Sequence, residues 1–495
     1  MPCTIIPFPQ ELRPQLPTIV GNVDYARLRQ RLEQIDALLR DSGVEGDFVQ
    51  RALDRWIVKG KRTPTVDEQL RFQQRSRRAL RCTILRTLLQ EDYRGFSNQL
   101  AGNSLYHWFC LIDGMDQIRV PTKSELQRFA HWLPTGQMHQ ILDGLLQAAI
   151  RKPRKLQLKE ALDLEEYFVD STCLKANIHF PTDWVLLRDG VRTLMKATLL
   201  IRREKLRGRM KAPEHFLRAI NRLSIEMSQQ ARRTGSKKGR KRVLRAMKKL
   251  VGVVKGHAQR HRELLDRHWR RTQWTRKQAK QILRRIDGVL ELLPRAQEQA
   301  HERIIGHRQV PNAEKILSLY DLDARVIVRG KAGAEVEFGN KVLIGENRQG
   351  VILDFELFQE SAPADTQILF GSLNRVWDMA GKQVGAVVAD RGFYSASNRR
   401  ALREAGTFDG LCPRKPAMLR ERMKEARFGR LQRRRAQSEG RIAILQAGFL
   451  GRPMRAKGFA NRELALVWGV LTHDLWKLAK LRKTKARPAQ LRPAA

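Results

Sequence analysis

Three carboxylates stand where they could carry out metal-dependent chemistry on phosphodiesters. Asp170 and Asp390 each end a short apolar run, and Glu439 follows in a basic helical stretch. Three acids without a His or Cys among them supply hard oxygen ligands, which suit Mg²⁺ or Mn²⁺. Two such ions, about 4 Å apart, can activate a water or a 3′-hydroxyl and stabilise the leaving oxygen. We therefore expect these acids to form a two-ion site.

Each acid also has an ordinary structural explanation. Asp170 would be a strand-end turn residue, Asp390 a turn residue before Gly392, and Glu439 a surface residue paired with Arg435 four positions earlier. The order of the three acids along the chain favours chemistry over these explanations. Carboxylates packed together raise each other's pKa, so bound divalent ions would also keep them ionised.

The acids need elements that bring them together. After a strand ending at Asp170 and a helical insert, the periodicity predicts three strands, a helix, a strand, a helix, a short strand and a basic helix through Glu439. Their ranges are 325–328, 336–345 and 350–357 for the three strands, 365–379 for the helix, 384–390 for the strand ending at Asp390, 397–405 for the next helix and 408–413 for the short strand. Without the insert, this is the element order of an RNase H-like sheet. Carboxylates at the carboxyl ends of adjacent strands of such a sheet share one crevice.

The N-terminal part is predicted to be helical over 24–56 and 67–149, with a helix-turn-helix-like arrangement inside the second block. We expect Ser97 to cap a short helix and the chain to turn at residues 102–104. Thr122 and Glu125 fit a capping box. The helix that follows would present Lys123, Gln127 and Arg128 outward, either as a DNA-recognition helix or as the ordinary surface of a helical bundle.

The charge of the chain indicates a polyanionic partner. Lys and Arg number 95 against 51 Asp and Glu, a formal net charge of +44. Residues 201–290 alone hold 29 Lys and Arg against 6 Asp and Glu. A solvated face would usually mix both signs, so we favour contact with nucleic-acid phosphates over a solvated surface or an anionic membrane. The densest run, 235–242, has no apolar anchor and is predicted to be a flexible loop.

Several classes of protein are disfavoured. No apolar run reaches the roughly 18 residues that a membrane span needs, and the first residues lack the basic and apolar regions of a secretory signal. The five cysteines are far apart, which argues against a disulfide framework and a structural zinc site. We expect a cytosolic protein of a reducing compartment.

Several motifs resemble those of bacterial insertion-sequence transposases of the DDE class. Residues 390–395, Asp-Arg-Gly-Phe-Tyr-Ser, closely resemble the second-Asp motif of that class. Residues 178–183 and 336–341 are similar to the segment after the first Asp and to a strand motif in one branch. Residues 88–133 resemble the N-terminal transposase domain and 468–481 the C-terminal helix, so the likeness runs from about residue 80 to 480.

The third acid is placed by the signature Tyr-x2-Arg-x3-Glu-x6-Lys of the family. Arg435 and Glu439 fit it, whereas Gln432 and Gln446 stand where the family has Tyr and Lys. Two nearby acids, Glu421 and Glu425, are alternatives for the third acid.

The resemblance implies a metal-binding triad of Asp170, Asp390 and Glu439 with two Mg²⁺ (or Mn²⁺) ions. It implies cleavage at transposon ends, strand transfer of the 3′-hydroxyl into target DNA, and binding of terminal inverted repeats by at least a dimer in the bacterial cytoplasm, at the nucleoid. Phe393 and Tyr394 would pack against the sheet or stack on a flipped base. The predicted DNA-binding residues are Lys123, Gln127, Arg128, Lys237, Lys238, Arg240, Lys241, Arg242, Arg391 and Arg435.

We therefore predict an α/β chain, α+β overall, with an RNase H-like mixed sheet flanked by helices. An all-α DNA-binding domain precedes the sheet, and a basic helical insertion follows its first catalytic strand. The predicted boundaries are 1–66 for an N-terminal arm and helix, 67–160 for the DNA-binding domain, 161–183 with 321–480 for the catalytic domain, 184–320 for the insertion and 481–495 for a basic tail. The alternatives are a non-catalytic nucleic-acid-binding protein and an RNase H-fold nuclease without strand transfer.

Overall fold

The computed structural model describes residues 13–60, 64–112, 117–331, 334–360 and 363–483. The chain divides into two compact units. Unit 1 comprises Met1–Leu174, Lys341–Phe358 and Ala362–Ala495, and unit 2 comprises Lys175–Asn340 and Gln359–Ser361. Most of the predicted N-terminal arm, part of the predicted loop before residue 67 and most of the basic tail lie outside the described residues.

Helices account for most of the described chain. They are α1 (Val23–Asp41), α2 (Val44–Lys59), α3 (Val66–Leu89), α4 (Tyr93–Ala101), α5 (Ser104–Cys110), α6 (Lys123–Ala130), α7 (Thr135–Arg151), α8 (Asp183–Arg203), α9 (Pro213–Arg232), α10 (Lys237–His268), α11 (Arg276–Ile304), α12 (Asp365–Ala380), α13 (Ala396–Glu404), α14 (Pro416–Arg422), α15 (Ala426–Leu445) and α16 (Phe459–Leu481). None of these helices combines the length and the apolar content that crossing a bilayer requires.

The strands follow the predicted order. They are β1 (Tyr167–Lys175), β2 (Arg325–Lys331), β3 (Ala334–Asn347), β4 (Ile352–Leu357), β5 (Ala386–Ala389) and β6 (Phe408–Leu411). The chain is therefore of the α+β class, as expected.

The six strands form one sheet with the order β2, β3, β1, β5, β6, and β4 pairs with β3 outside this order. β5 runs parallel to both of its neighbours, β1 and β6, while β4 pairs antiparallel with β3. All four residues of β5 are buried, which suits a central parallel strand covered on both faces. β2 pairs antiparallel with the part of β3 that belongs to unit 2.

Side chains of β1 alternate between two cores, as the pleat of a strand requires. Tyr167 and Val169 belong to the large core of unit 1. Phe168 faces the other way and packs with Val388 and with Leu431 of α15. Asp170, two residues after Phe168, therefore lies on the face of the sheet that α15 covers.

The N-terminal helices confirm the predicted capping box and correct one cap. Thr122 accepts from the backbone N–H of Glu125 and the Glu125 side chain accepts from that of Thr122, so α6 begins where the sequence placed it. Ser97, however, lies inside α4, which begins after the cap residue Asp92. The Ser97 hydroxyl donates instead to the carbonyl of Pro121 at 2.8 Å, a contact across 24 residues that local spacing does not show.

Unit 2 contains α8 to α11 packed around an apolar core of their own. The prediction of a flexible loop over residues 235–242 was wrong, because α10 begins at Lys237. Val243 and Leu244 are buried in that core, and Ser236 donates to the carbonyl of Gln230 just before the helix starts. These contacts hold the first turns of α10 although the turns themselves carry no apolar residue. The five predicted cations Lys237, Lys238, Arg240, Lys241 and Arg242 therefore stand on a helix.

Candidate active site

The sheet places Asp170 and Asp390 beside each other. β1 and β5 run parallel, with Val169 opposite Ala389 as the last paired residues, and the two aspartates follow directly. The prediction that the first strand ends at Asp170 was wrong, because β1 continues to Lys175. Asp170 accepts a hydrogen bond from the backbone N–H of Ser171 at 2.7 Å within β1. Asp390 directly follows β5 and accepts from the backbone N–H of Gly392 at 2.8 Å.

The pKa of Asp170 shows which charges surround it. Burial, and next the negative charge of Asp390, raise this pKa from its ordinary value of 3.8 to about 6. Glu439 adds to the increase, while the Ser171 N–H and the positive charge of Arg435 oppose it. The three predicted acids and Arg435 therefore lie in one electrostatic neighbourhood.

Helix α15 brings Glu439 and Arg435 to this neighbourhood. Gln432 donates to the carbonyl of Gly410 in β6 at 2.6 Å, and its side-chain oxygen accepts from Arg435 at 3.1 Å. Gln446, in a π-helical turn that follows α15, donates to the carbonyl of Cys173 in β1 at 3.2 Å. The two positions that depart from the family signature thus fasten the helix to strands on either side of the site. Glu439 itself is exposed.

A small pocket lies next to Asp170 on the same face of the sheet. Its volume is about 10 Å³, which is room for about one water molecule. Glu346 of β3 lines it together with Ser438, Arg441 and His473. Ser438 donates to the Glu346 carboxylate at 3.0 Å and Arg441 at 3.4 Å, yet burial outweighs these contacts and raises the pKa of Glu346.

Asp365 is a further carboxylate beside the strand ends. It lies in the first turn of α12, accepts from the Ser171 hydroxyl at 2.8 Å and forms an ion pair with Lys341 at 2.7 Å. A Cβ atom at Gly392 would lie 2.5 Å from the Asp365 carboxylate, so a larger residue at this position would displace that carboxylate.

Sequence reasoning missed both Glu346 and Asp365. The signals were weak: an acid near the end of a strand for Glu346, and an acid in the first turn of a helix for Asp365. Neither signal distinguishes a site residue from a surface residue.

The acids do not form a complete metal site as they stand. Across the described ranges, no group of three or more His, Cys, Asp or Glu residues is arranged to hold an ion. Asp170 and Asp390 fit as a pair of hard oxygen donors. Glu439 is exposed on α15, so its side chain is not fixed by packing in the core.

Nothing matches this chain. Comparisons with protein-family models, with curated proteins and with solved structures gave no match. The function must therefore be argued from the geometry and from the motifs in the sequence.

The remaining predicted residues occupy three separate places. Arg391 is exposed directly after Asp390. Phe393 is fully buried, so of its two expected roles the structure agrees with packing in the core. Tyr394 is partly buried, and its hydroxyl accepts from Arg399 at 3.0 Å. Lys123, Gln127 and Arg128 are exposed on α6 as expected. Lys237, Lys238, Arg240, Lys241 and Arg242 lie on α10 in unit 2.

Proposed function

We propose that this protein is a DNA transposase of the DDE class, which cleaves at the ends of a mobile element and transfers the freed 3′-hydroxyl into target DNA. The observation that carries the proposal is the register of β1 and β5, which sets Asp170 and Asp390 side by side. Glu439 acts on the pKa of Asp170 from α15. Two aspartates on adjacent parallel strands with a glutamate from a covering helix match the constellation that the motifs imply.

The strand order supports an RNase H-like catalytic domain. The supporting features are the pairing of β1 between β3 and β5, the parallel direction of β1 and β5, and the antiparallel pairing of β4 with β3. The basic helices of unit 2 enter the chain between β1 and β2, where the insertion was predicted.

The third acid is best assigned to Glu439. Glu421 forms an ion pair with Lys424 at 2.7 Å, and Glu425 pairs with Arg422 at 3.8 Å at the start of α15. Glu439, in contrast, raises the pKa of Asp170.

Each residue has a role in this proposal. Asp170, Asp390 and Glu439 would hold two Mg²⁺ or Mn²⁺ ions, which when bound supply an activated nucleophile and stabilise the leaving oxygen. Arg435 offsets part of the negative charge around Asp170 and is in place to contact a DNA phosphate. Arg391, exposed beside Asp390, is a second phosphate contact. The exposed residues of α6 would contact the terminal inverted repeats, and pairing two ends requires at least two copies of the chain.

The test is cleavage of a plasmid that carries the DNA on both sides of the coding region, in which the proposal expects terminal inverted repeats. We expect Mg²⁺-dependent nicking by the unmodified protein and none by Asp390→Asn, while both bind the repeats equally well. Asp378→Asn is the matched control, because Asp378 is exposed on α12 and the substitution removes the same charge. Nicking by Asp390→Asn, or loss of repeat binding in that variant alone, would contradict the proposal.

A non-catalytic nucleic-acid-binding protein is the second candidate. The observation in its favour is that the described acids do not form a closed group able to hold an ion. Absence of divalent-dependent nicking together with intact repeat binding would favour it. An RNase H-fold nuclease would nick without giving joined products, so the strand-transfer product is assayed in the same reaction.

A further inference from the structure

One face of α10 carries a row of cations. Lys238, Arg242, Arg245 and Lys249 follow one another at intervals of three and four residues, and Arg260 lies on the same face further along the helix. These five residues, called the α10 stripe, are all exposed. The opposite face of α10 contributes Val243, Met247, Val251, Val254 and Ala258 to the core of unit 2. The stripe is therefore a surface fixed by the packing of the helix.

The stripe has little negative charge to balance it within the chain. Arg242 forms an ion pair with Glu226 at 2.8 Å. Within the part of the chain that the structure describes, none of the other four stripe residues has a carboxylate in ion-pair range. Like charges three and four residues apart destabilise a helix, and so do cations in its first turn. An external polyanion would relieve both costs.

The dimensions of the stripe suit a duplex. From Lys238 to Arg260 the helix rises about 33 Å at about 1.5 Å per residue, close to the roughly 34 Å of one turn of B-DNA. In its middle, Gly252 and Gly256 leave the helix backbone uncovered, because a Cβ atom at either position would meet nothing within 4 Å. A partner's backbone can therefore approach the helix closely there.

The surroundings of α10 favour contact with phosphates over insertion into a groove. α10 packs against α8, α9 and α11, and its buried residues lie on the face opposite the stripe. A recognition helix must enter the major groove to reach the base edges. A helix that is packed along one face can lie along the phosphate backbone instead.

Other polyanions fit less well. Residues 237–268 contain no Phe, Tyr or Trp, so α10 offers no stacking platform for single-stranded bases. Val253 is an isolated exposed apolar residue on this face, whereas a membrane-surface helix needs a broad apolar face.

We propose that the α10 stripe binds the phosphate backbone of duplex DNA without reading its sequence. The inference rests on the proposed function in its choice of DNA as the partner. It adds a division of labour, in which α6 would recognise element ends and the α10 stripe would hold duplex of any sequence, including target DNA.

The experiment measures binding of the full chain to a labelled random-sequence duplex of about 30 base pairs, roughly three helical turns, over a series of salt concentrations. The stripe variant is Lys238→Gln, Arg245→Gln, Lys249→Gln. The matched control is Arg27→Gln, Lys59→Gln, Lys382→Gln, which removes the same charge from exposed positions of unit 1. We expect the stripe variant to bind at least about tenfold more weakly and to lose about one unit of log–log salt slope per cation removed. The control should bind like the unmodified chain.

Three results would overturn the inference: equal weakening in both variants, a preference of the unmodified chain for single strands, or loss of binding to phosphatidylcholine–phosphatidylserine vesicles with duplex binding unchanged. Circular dichroism checks that both variants are folded. Plasmid nicking, measured in parallel, separates the two proposals. If the protein nicks the plasmid and the stripe variant binds duplex normally, only this inference is contradicted. If the stripe variant loses duplex binding and the unmodified protein does not nick the plasmid, only the enzymatic proposal is contradicted.

Discussion

The N-terminal helices and the carboxyl edge of the sheet both bury ionisable side chains, but they arrange the charges differently. Among the helices, Arg81 is fully buried and donates to Glu45 at 2.5 Å and to Asp36 at 2.6 Å. Burial opposes ionisation of both acids. Arg81, together with Arg13 at Asp36 and Arg77 at Glu45, outweighs burial and lowers the pKa of each acid. Unlike charges are therefore buried together.

At the edge of the sheet, like charges are gathered instead. Asp170 has Asp390 and Glu439 near it, and Arg435 offsets these only in part, so the pKa of Asp170 rises to about 6. The first arrangement contributes to the stability of the fold, while the second costs stability. A cluster of like charges that costs stability is typical of a functional site.

The largest effect on stability is expected when Arg81, Glu45 and Asp36, called the paired cluster, lose the cation that the two acids share. Arg81→Met would leave two buried carboxylates without their main partner, so we expect the free energy of unfolding to fall by about 3–5 kcal/mol at neutral pH. Chemical denaturation measures this. The loss should shrink below about pH 4, because the lowered pKa values of Asp36 and Glu45 make their contribution present above that pH and absent once both are protonated.

Arg27→Met is the control for this variant, since Arg27 is exposed on α1. We expect the control to change stability by less than about 0.5 kcal/mol. An equally small loss for Arg81→Met would mean that the cost of burying the Arg81 charge cancels the stabilisation from its ion pairs.

At the sheet edge, removal of a charged side chain is expected to increase stability rather than decrease it. With its pKa raised to about 6, Asp170 holds a proton more tightly in the folded chain than in the unfolded one. Stability is therefore lost as the pH rises from about 4 to about 6. Asp170→Asn should raise the free energy of unfolding by about 3 kcal/mol at pH values above that window and leave it unchanged below the window.

Thermal or urea unfolding at several pH values tests this, with Asp378→Asn as the exposed control on α12. A stability gain that does not vary with pH would show that loss of the Asp170 charge is not its cause. A loss of stability above the window would show that the Asp170 carboxylate is paired in the folded chain, as Asp36 and Glu45 are.

Much of the sheet edge was predictable because its signals are local. The apolar runs before Asp170 and Asp390 predicted two buried strands, and both strands formed with the two acids next in register. The capping box of Thr122 and Glu125 fixed the start of α6 for the same reason, since a cap is decided within four residues.

What the sequence did not reveal depends on contacts between distant residues. The first turns of α10 form because Val243 and Leu244, which follow them, are buried in the core of unit 2. The surroundings of Glu346 are set by Ser438 and Arg441, more than ninety residues away in the chain. No periodicity in the strand carrying Glu346 indicates that these residues will meet it.

Glu346 shares features with both arrangements, and its substitution is expected to have the smallest effect on stability. It has Arg441 at 3.4 Å and Arg434 at 3.7 Å, as a paired acid would, yet burial raises its pKa, as at the sheet edge. Glu346→Gln keeps an acceptor for Ser438 and removes the buried charge. We therefore expect this variant to change the free energy of unfolding by less than about 1 kcal/mol at neutral pH.

Glu45→Gln is its counterpart in the paired cluster, where the same substitution removes a charge whose pKa is lowered. That variant should lose about 2–3 kcal/mol, measured by the same denaturation experiment. If both variants lost the same amount, the presence of nearby arginines would decide the energetics, and Glu346 would belong with the paired cluster. If Glu346→Gln is tolerated while Glu45→Gln is not, the number of arginines near a buried acid does not predict its contribution. The balance between desolvation and direct contact would then be the quantity that separates the two regions.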